Sequence, residues 1–225
     1  SLVSPREAGD LLFDDIVHLP RMQEEHIIFA KVLAVFLGKE NVLDTQVLLE
    51  EALAIDHENR REMLDLIIDF EELPRSILDQ LNGLSNKDLA EVLITGYNPK
   101  EDHILFDPIP NFIFTRDLAV VINDHVIITK AAKEARFREN ILTRFVFQTH
   151  PIFDDLINTG RIINMNLVDQ FPPSKKGEMV SIEGGDIMVL NEKYVLIGCS
   201  ERTTAHAIHS LKAVLFEKGV IDNVV

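Results

Sequence analysis

The stretch PNFIFTRDLAVVINDHVIITK, residues 110–130, decides how the chain is read. An apolar run, Phe112 to Phe114, leads into Thr115-Arg116-Asp117. Asp117 then opens a second run, Leu118 to Ile122, that predicts a strand. A turn at Asn123-Asp124 and a second apolar run, VIITK, complete a hairpin, and EARFRENILTRFVF (134–147) predicts a helix. A carboxylate between two buried segments is costly unless something pairs with it. Asp117 is therefore either a structural ion-pair partner, with Arg116 beside it, or a ligand-binding group.

The same order recurs downstream. Asp186 is followed by IMVL, a turn at Asn191-Glu192, YVLIG, and the helical run RTTAHAIHSLKAVLFEKG (202–219). Asp117 and Asp186 stand 69 residues apart. A hairpin and one helix cannot bury an apolar face alone, so such units are expected to pack against one another. The N-terminal run SLVSP…LLFDDI with the helix expected over 22–37 reads as a worn third copy. Between these copies the pattern changes. TQVLLEEALA, ENRREMLDLIIDFEEL, PRSILDQLNG and SNKDLAEVLITGY are helical runs divided by Pro74, Gly83 and a cap at Ser85. The predicted organisation is 1–44 and 98–225 as α/β blades, with 45–97 as a helical insertion. NVLD (41–44) reads as a short strand.

Composition narrows the classes. The chain has 225 residues, 46% hydrophobic and 26% charged, enough for a real core. A net charge of −15 argues against nucleic acid and suits a cationic ligand or simple solubility. No apolar run reaches the length of a membrane span. The first residues do not read as a signal peptide, and the single cysteine, Cys199, points to a reducing, cytoplasmic setting. Cys199 ends an apolar strand and is expected to be a packed structural thiol. His206 and His209, three apart, read as a helix surface, and no metal site is expected.

Each repeat also places an arginine, Arg136 or Arg202, where a helix is predicted to start. The helix dipole disfavours cations there by up to ~1 kcal/mol. Repeated in both units, the violation suggests arginines facing something anionic, either a neighbouring Glu134 or Glu201 or a ligand. The carboxylates Asp117, Glu183 and Asp186 lie across the hairpins from them. In SIEGGDIMVL (181–190), Gly184-Gly185 permit close backbone approach or mark a turn before an edge strand. Two carboxylates and two arginines suit a ligand with a guanidinium at one end and a carboxylate at the other.

PNFIFTRD, SIEGGDIMVL, LIGCSERT and LLFDDI together resemble segments of the arginine deiminase family, within the superfamily of guanidino-group-modifying enzymes. The resemblance implies a pseudo-symmetric α/β propeller (pentein-like), partial here, with an α-helical insertion subdomain. It implies that Asp117 and Glu183 grip a guanidinium, with Asp186 in support. Asn111, Phe114, Arg136 and Arg202 match positions that hold the amino acid end of the substrate, and Leu12 matches a residue of a loop that closes over it. The implied reaction converts arginine and water to citrulline and ammonia, without metal or organic cofactor. An amidinotransferase, a dimethylarginine hydrolase of the same superfamily, or a non-catalytic guanidino-binding or assembly module are the alternatives; homo-oligomerisation is left open. The reaction needs a thiolate nucleophile and a proton-transferring histidine. In the family these come from a downstream His-x-Asp motif and a cysteine near the C-terminus. None of the eight histidines lies in a His-x-Asp motif. The chain is therefore expected to be a piece of a longer enzyme, or else a short homologue, and by itself inactive.

Overall fold

The computed structural model describes residues 18–225, and the chain divides into two compact units, residues 1–111 and 112–225. Leu12 and the LLFDDI run lie outside the described residues. The chain is α/β, with small open sheets.

The first unit is helical. Helix α1 (Leu19–Leu37) is followed by α2 (Thr45–Ala52), α3 (His57–Phe70), α4 (Ser76–Asn82) and α5 (Asn86–Thr95). Asp44, Asp56 and Ser85 cap α2, α3 and α5 by accepting from backbone N–H groups in their first turns. Leu49, Leu53, Leu64, Ile67, Leu89 and Leu93 are fully buried. Residues 41–44 do not form the expected strand. Their polar ends serve other elements, Asn41 closing a 3-10 turn and Asp44 capping α2. None of the residues of α1 is buried. A two-residue hairpin, β1 (Tyr97–Asn98) with β2 (His103–Ile104), follows α5.

The second unit holds the two repeats. A short helix α6 (Thr115–Leu118) leads into the hairpin β3 (Ala119–Ile122) and β4 (His125–Ile128). Helix α7 (Phe137–Thr149) and the short α8 (Asp154–Asn158) return the chain to β5 (Ile162–Asn164), which pairs parallel with β4. The second repeat runs the same way. Its hairpin is β6 (Ile187–Asn191) with β7 (Tyr194–Ile197), then α9 (Ala205–Glu217), then β8 (Asn223–Val224) parallel to β7. Each repeat is thus hairpin, helix and a third parallel strand. The third strand was not legible because each is only two or three residues long.

One apolar cluster serves both repeats. Val120, Ile122 and Ile127 of the first pack with Ile187, Val195 and Leu211 of the second. A polar link joins their far ends. Asn123, at the first hairpin turn with φ of 53°, donates through Nδ2 to the Glu192 and Val220 carbonyls at 3.0 and 2.6 Å. Two hairpin–helix units therefore close one core between them, which neither closes alone.

Candidate functional site

Asp117 lies in the turn of α6, one step before the strand it was expected to open, with its N–H bonded to the Phe114 carbonyl. Glu183 and Asp186 flank the 3-10 turn Gly184–Asp186 that precedes β6. These two turns meet, and Asp117, Glu183, Gly185, Asp186, Ser200, Glu201 and Arg202 line one cavity of about 400 Å³. Asp117 and Glu183, 66 residues apart, share one cation. Arg136 Nη1 donates to Asp117 Oδ2 at 2.9 Å and to Glu183 Oε2 at 3.3 Å. Arg136 Nε donates to Glu139 Oε2 at 2.8 Å.

This placement of Arg136 differs from a site one ligand length from the carboxylates. Its guanidinium lies between them, and its side chain is 2% exposed. Burial works against the Arg136 charge. Glu139, then Asp117 and Glu183, outweigh that cost and hold the pKa above its ordinary value. Glu139, three residues on, is wholly buried. Its i,i+3 spacing from Arg136 was the available signal for this partner, in place of the expected Glu134. Arg116 does not pair with Asp117. It donates instead to the Gly184 and Ile187 carbonyls at 3.3 and 2.6 Å.

Arg202 differs from Arg136 in setting. Helix α9 starts at Ala205 with Thr204 as N-cap, so Arg202 precedes the helix and the dipole argument does not reach it. Its Nη1 is 3.4 Å from Glu183 Oε2, and its side chain is 51% exposed on the cavity wall. Glu183 is 3% exposed, and its Oε1 is buried without a hydrogen-bond partner. Glu183 lines the cavity, and a carboxylate there with an open acceptor position suits a donor.

Asp186 organises the loop beneath. Its Oδ2 accepts from Ser200 Oγ at 2.7 Å and from Thr203 Oγ1 at 2.5 Å. Thr203 Oγ1 in turn accepts from the Glu183 N–H at 3.2 Å. Ser200 and Thr203 were not singled out from the sequence; the S-x-x-T spacing before a helix was their signal. Phe114 is 54% exposed and does not line the cavity. Asn111 is buried at the end of the first unit. Cys199 is exposed, contrary to the packed thiol expected, because β7 ends at Ile197 and the chain turns outward before it. His206 Nε2 and His209 Nδ1 bond to the Pro172 and Ala205 carbonyls. Among the described residues no cluster of three or more His, Cys, Asp or Glu could hold a metal, and no helix is long and apolar enough to cross a membrane.

The chain is similar to known proteins. The chain is 32% identical over 237 aligned residues to an arginine deiminase of Listeria monocytogenes serovar 1/2a, covering 96% of this chain and 54% of that protein. An arginine deiminase of Bacillus cytotoxicus is 35% identical over the same shares. The chain thus spans about half the length of the curated relatives it matches. Among solved structures, a dimethylarginine dimethylaminohydrolase adduct with 4-chloro-2-hydroxymethylpyridine aligns at 26% identity and a TM-score of 0.37, covering 52% of this chain and 39% of that one. A mutant of DDAH from Pseudomonas aeruginosa complexed with citrulline aligns at 25% identity with the same TM-score, over 52% of this chain and 38% of that one. The arginine deiminase family model matches residues 84–225, more than half of the sequence, and the chain belongs to the arginine deiminase family.

Proposed function

We propose that this chain is the guanidinium-recognising part of an arginine deiminase-like hydrolase, which converts L-arginine and water to citrulline and ammonia. The carrying observation is the convergence of Asp117 and Glu183 on one cavity, where Glu183 Oε1 faces no partner. A guanidinium offers planar donors that match a carboxylate fork. In this reading the substrate guanidinium lies against Asp117 and Glu183. Arg202, exposed on the same wall, takes the substrate carboxylate, and Asp186 holds the loop that presents it. Asn111 and Phe114 keep the amino acid end, and Leu12 the loop that closes over the substrate, by family resemblance. The two repeats are then two blades of the propeller, and the helices of 45–97 an insertion between blades. The thiol that attacks the guanidinium carbon is not Cys199, which does not line the cavity. A cytoplasmic setting goes with this reading.

Arg136 carries a second assignment, favoured by its bonds to both carboxylates. It serves as their resident counter-ion, and contact with a substrate carboxylate requires its guanidinium to leave them. An amidinotransferase, a dimethylarginine hydrolase or a non-catalytic guanidino-binding module would use the same carboxylates, and product analysis of the longer protein with arginine separates these outcomes.

Calorimetric titration of the chain with L-arginine and with agmatine, which lacks the carboxylate, tests the recognition. Asp117→Asn should weaken both ligands about tenfold to a hundredfold, the worth of a charge-assisted hydrogen bond. Arg202→Ala should weaken L-arginine relative to agmatine by a similar ~10–100-fold. Unchanged affinity in Asp117→Asn would remove the proposal; an unchanged ligand ratio in Arg202→Ala would return that arginine to an ordinary ion pair with Glu183.

A further inference from the structure

Asp117 and Glu183 come from different repeats, and their spacing must be set by something that joins the two turns. The shared apolar core includes Ile182, directly before Glu183, and a backbone bridge joins Ile182 to Lys130 of the first repeat. At the level of the carboxylates themselves, Arg136 bridges Asp117 and Glu183, and further contacts cross between the two turns that carry them. Arg116 Nε and Nη2 donate to the Gly184 and Ile187 carbonyls at 3.3 and 2.6 Å. The Gly185 N–H donates to Asp117 Oδ1 at 3.1 Å. Gly184 packs so closely that a Cβ there would lie 1.8 Å from the Arg116 carbonyl oxygen and 2.5 Å from Val120 Cγ2. The first of these neighbours is backbone and cannot rotate away.

Arg116 therefore holds the far turn from one side with its side chain and meets it on the other with its own carbonyl. A guanidinium is suited to this because its donors form a rigid planar fork, so one side chain satisfies two carbonyls in fixed relative position. The partners are the backbone on either side of Asp186, directly after Glu183. Arg116 touches neither Glu183 nor the cavity wall.

We infer that Arg116 is a positioning residue, which with the bare backbone of Gly184 clasps the two turns and sets the distance between Asp117 and Glu183. The inference rests on the recognition proposed above, and it deepens that proposal by naming what holds the pair to a guanidinium's width. Its mark is confinement to the guanidinium end. Opening the clasp moves the carboxylates relative to each other and leaves the carboxylate-reading side untouched.

The experiment is calorimetry of the 225-residue chain and its variants with L-arginine and agmatine, each variant checked for folding by circular dichroism. Arg116→Ala should weaken both ligands by one common factor of about ten, the loss of roughly one well-formed hydrogen bond's worth of positioning. Arg116→Lys, able to reach one carbonyl but not both, should fall between. Gly184→Ala should weaken both ligands by a similar factor from the opposite side of the contact. The double variant Arg116→Ala with Gly184→Ala should bind about as weakly as the weaker single variant, because both open one contact. A folded Arg116→Ala chain with unchanged affinity for both ligands overturns the clasp, as does a double variant whose losses multiply. If the substituted chains do not fold, the Arg116 Nε–H of the unsubstituted chain is read by NMR. Slow exchange supports the clasp, and solvent-like exchange overturns it. Failure of the recognition itself looks different: the unsubstituted chain binds neither ligand, or Asp117→Asn binds as it does, and the clasp then falls with it.

Discussion

The two repeats of the second unit share a chain path but not a charge economy. In the first, Arg136 precedes α7, is almost wholly buried and touches three carboxylates. In the second, Arg202 stands before the N-cap of α9, half exposed, within reach of one carboxylate of those described. The matching carboxylates also part ways. Asp117 faces a cation and a backbone N–H, whereas Asp186 is satisfied by two hydroxyl groups. The helices follow suit. Helix α7 buries Arg138, Glu139 and Asn140, while the buried residues of α9 are Ala207, Leu211 and Leu215. The first repeat buries its charges, whereas the second supplies most of the residues that line the cavity. Equivalent positions in a repeat thus predict shape, and the partners brought by the rest of the chain decide chemistry.

The sharpest way to break this comparison is to delete each arginine. Arg136→Met leaves Glu139, Glu183 and Asp117 without the cation they share. Removing one partner of a buried charge set costs about 3–5 kcal/mol, so urea unfolding of the variant should show a loss of that order. Arg202→Ala, on an exposed side chain, should cost less than about 1 kcal/mol. Equal losses in the two variants would abolish the distinction between buried counter-ion and exposed reader.

A smaller effect probes the second repeat. Thr203→Val keeps volume but removes the hydroxyl that donates to Asp186 and accepts from the Glu183 N–H. Thr203 is fully buried, so the abandoned backbone donor should cost about 1–3 kcal/mol in the same unfolding measurement. A neutral Thr203→Val would show that Asp186 supports nothing through this loop.

The smallest effect concerns how each helix begins. Thr204 caps α9 by accepting from the Ala207 N–H at 3.2 Å, while α7 has no side-chain cap. Thr204→Ala should destabilise the chain by about 1 kcal/mol. A loss near that of Arg136→Met would place the anchoring of the second unit in the wrong repeat.

Much of this was legible in residue order. The hairpins, their turns, the helices after them and the capped helices of 45–97 follow from local period and from polar side chains next to bare N–H groups. These are short-range effects, complete within one or two turns of chain. The singling out of Asp117, Glu183 and Arg136 was equally local, since each breaks a rule of burial or dipole where it stands; Arg202 was singled out by a dipole argument that its place before the N-cap of α9 removes. What residue order left open is which charge meets which. Arg116 sits beside Asp117 and was its natural partner, yet its fork reaches across to the Gly184 and Ile187 carbonyls. Arg136, nineteen residues from Asp117, takes that place instead. Gly184 read as a turn glycine, and only the approach of the Arg116 carbonyl shows why a side chain there is forbidden. A guanidinium can satisfy carboxylates or carbonyls alike, so its choice depends on where the other repeat is brought by the shared apolar core. That core joins residues some 70 positions apart, and its geometry is a property of the packed pair rather than of either segment.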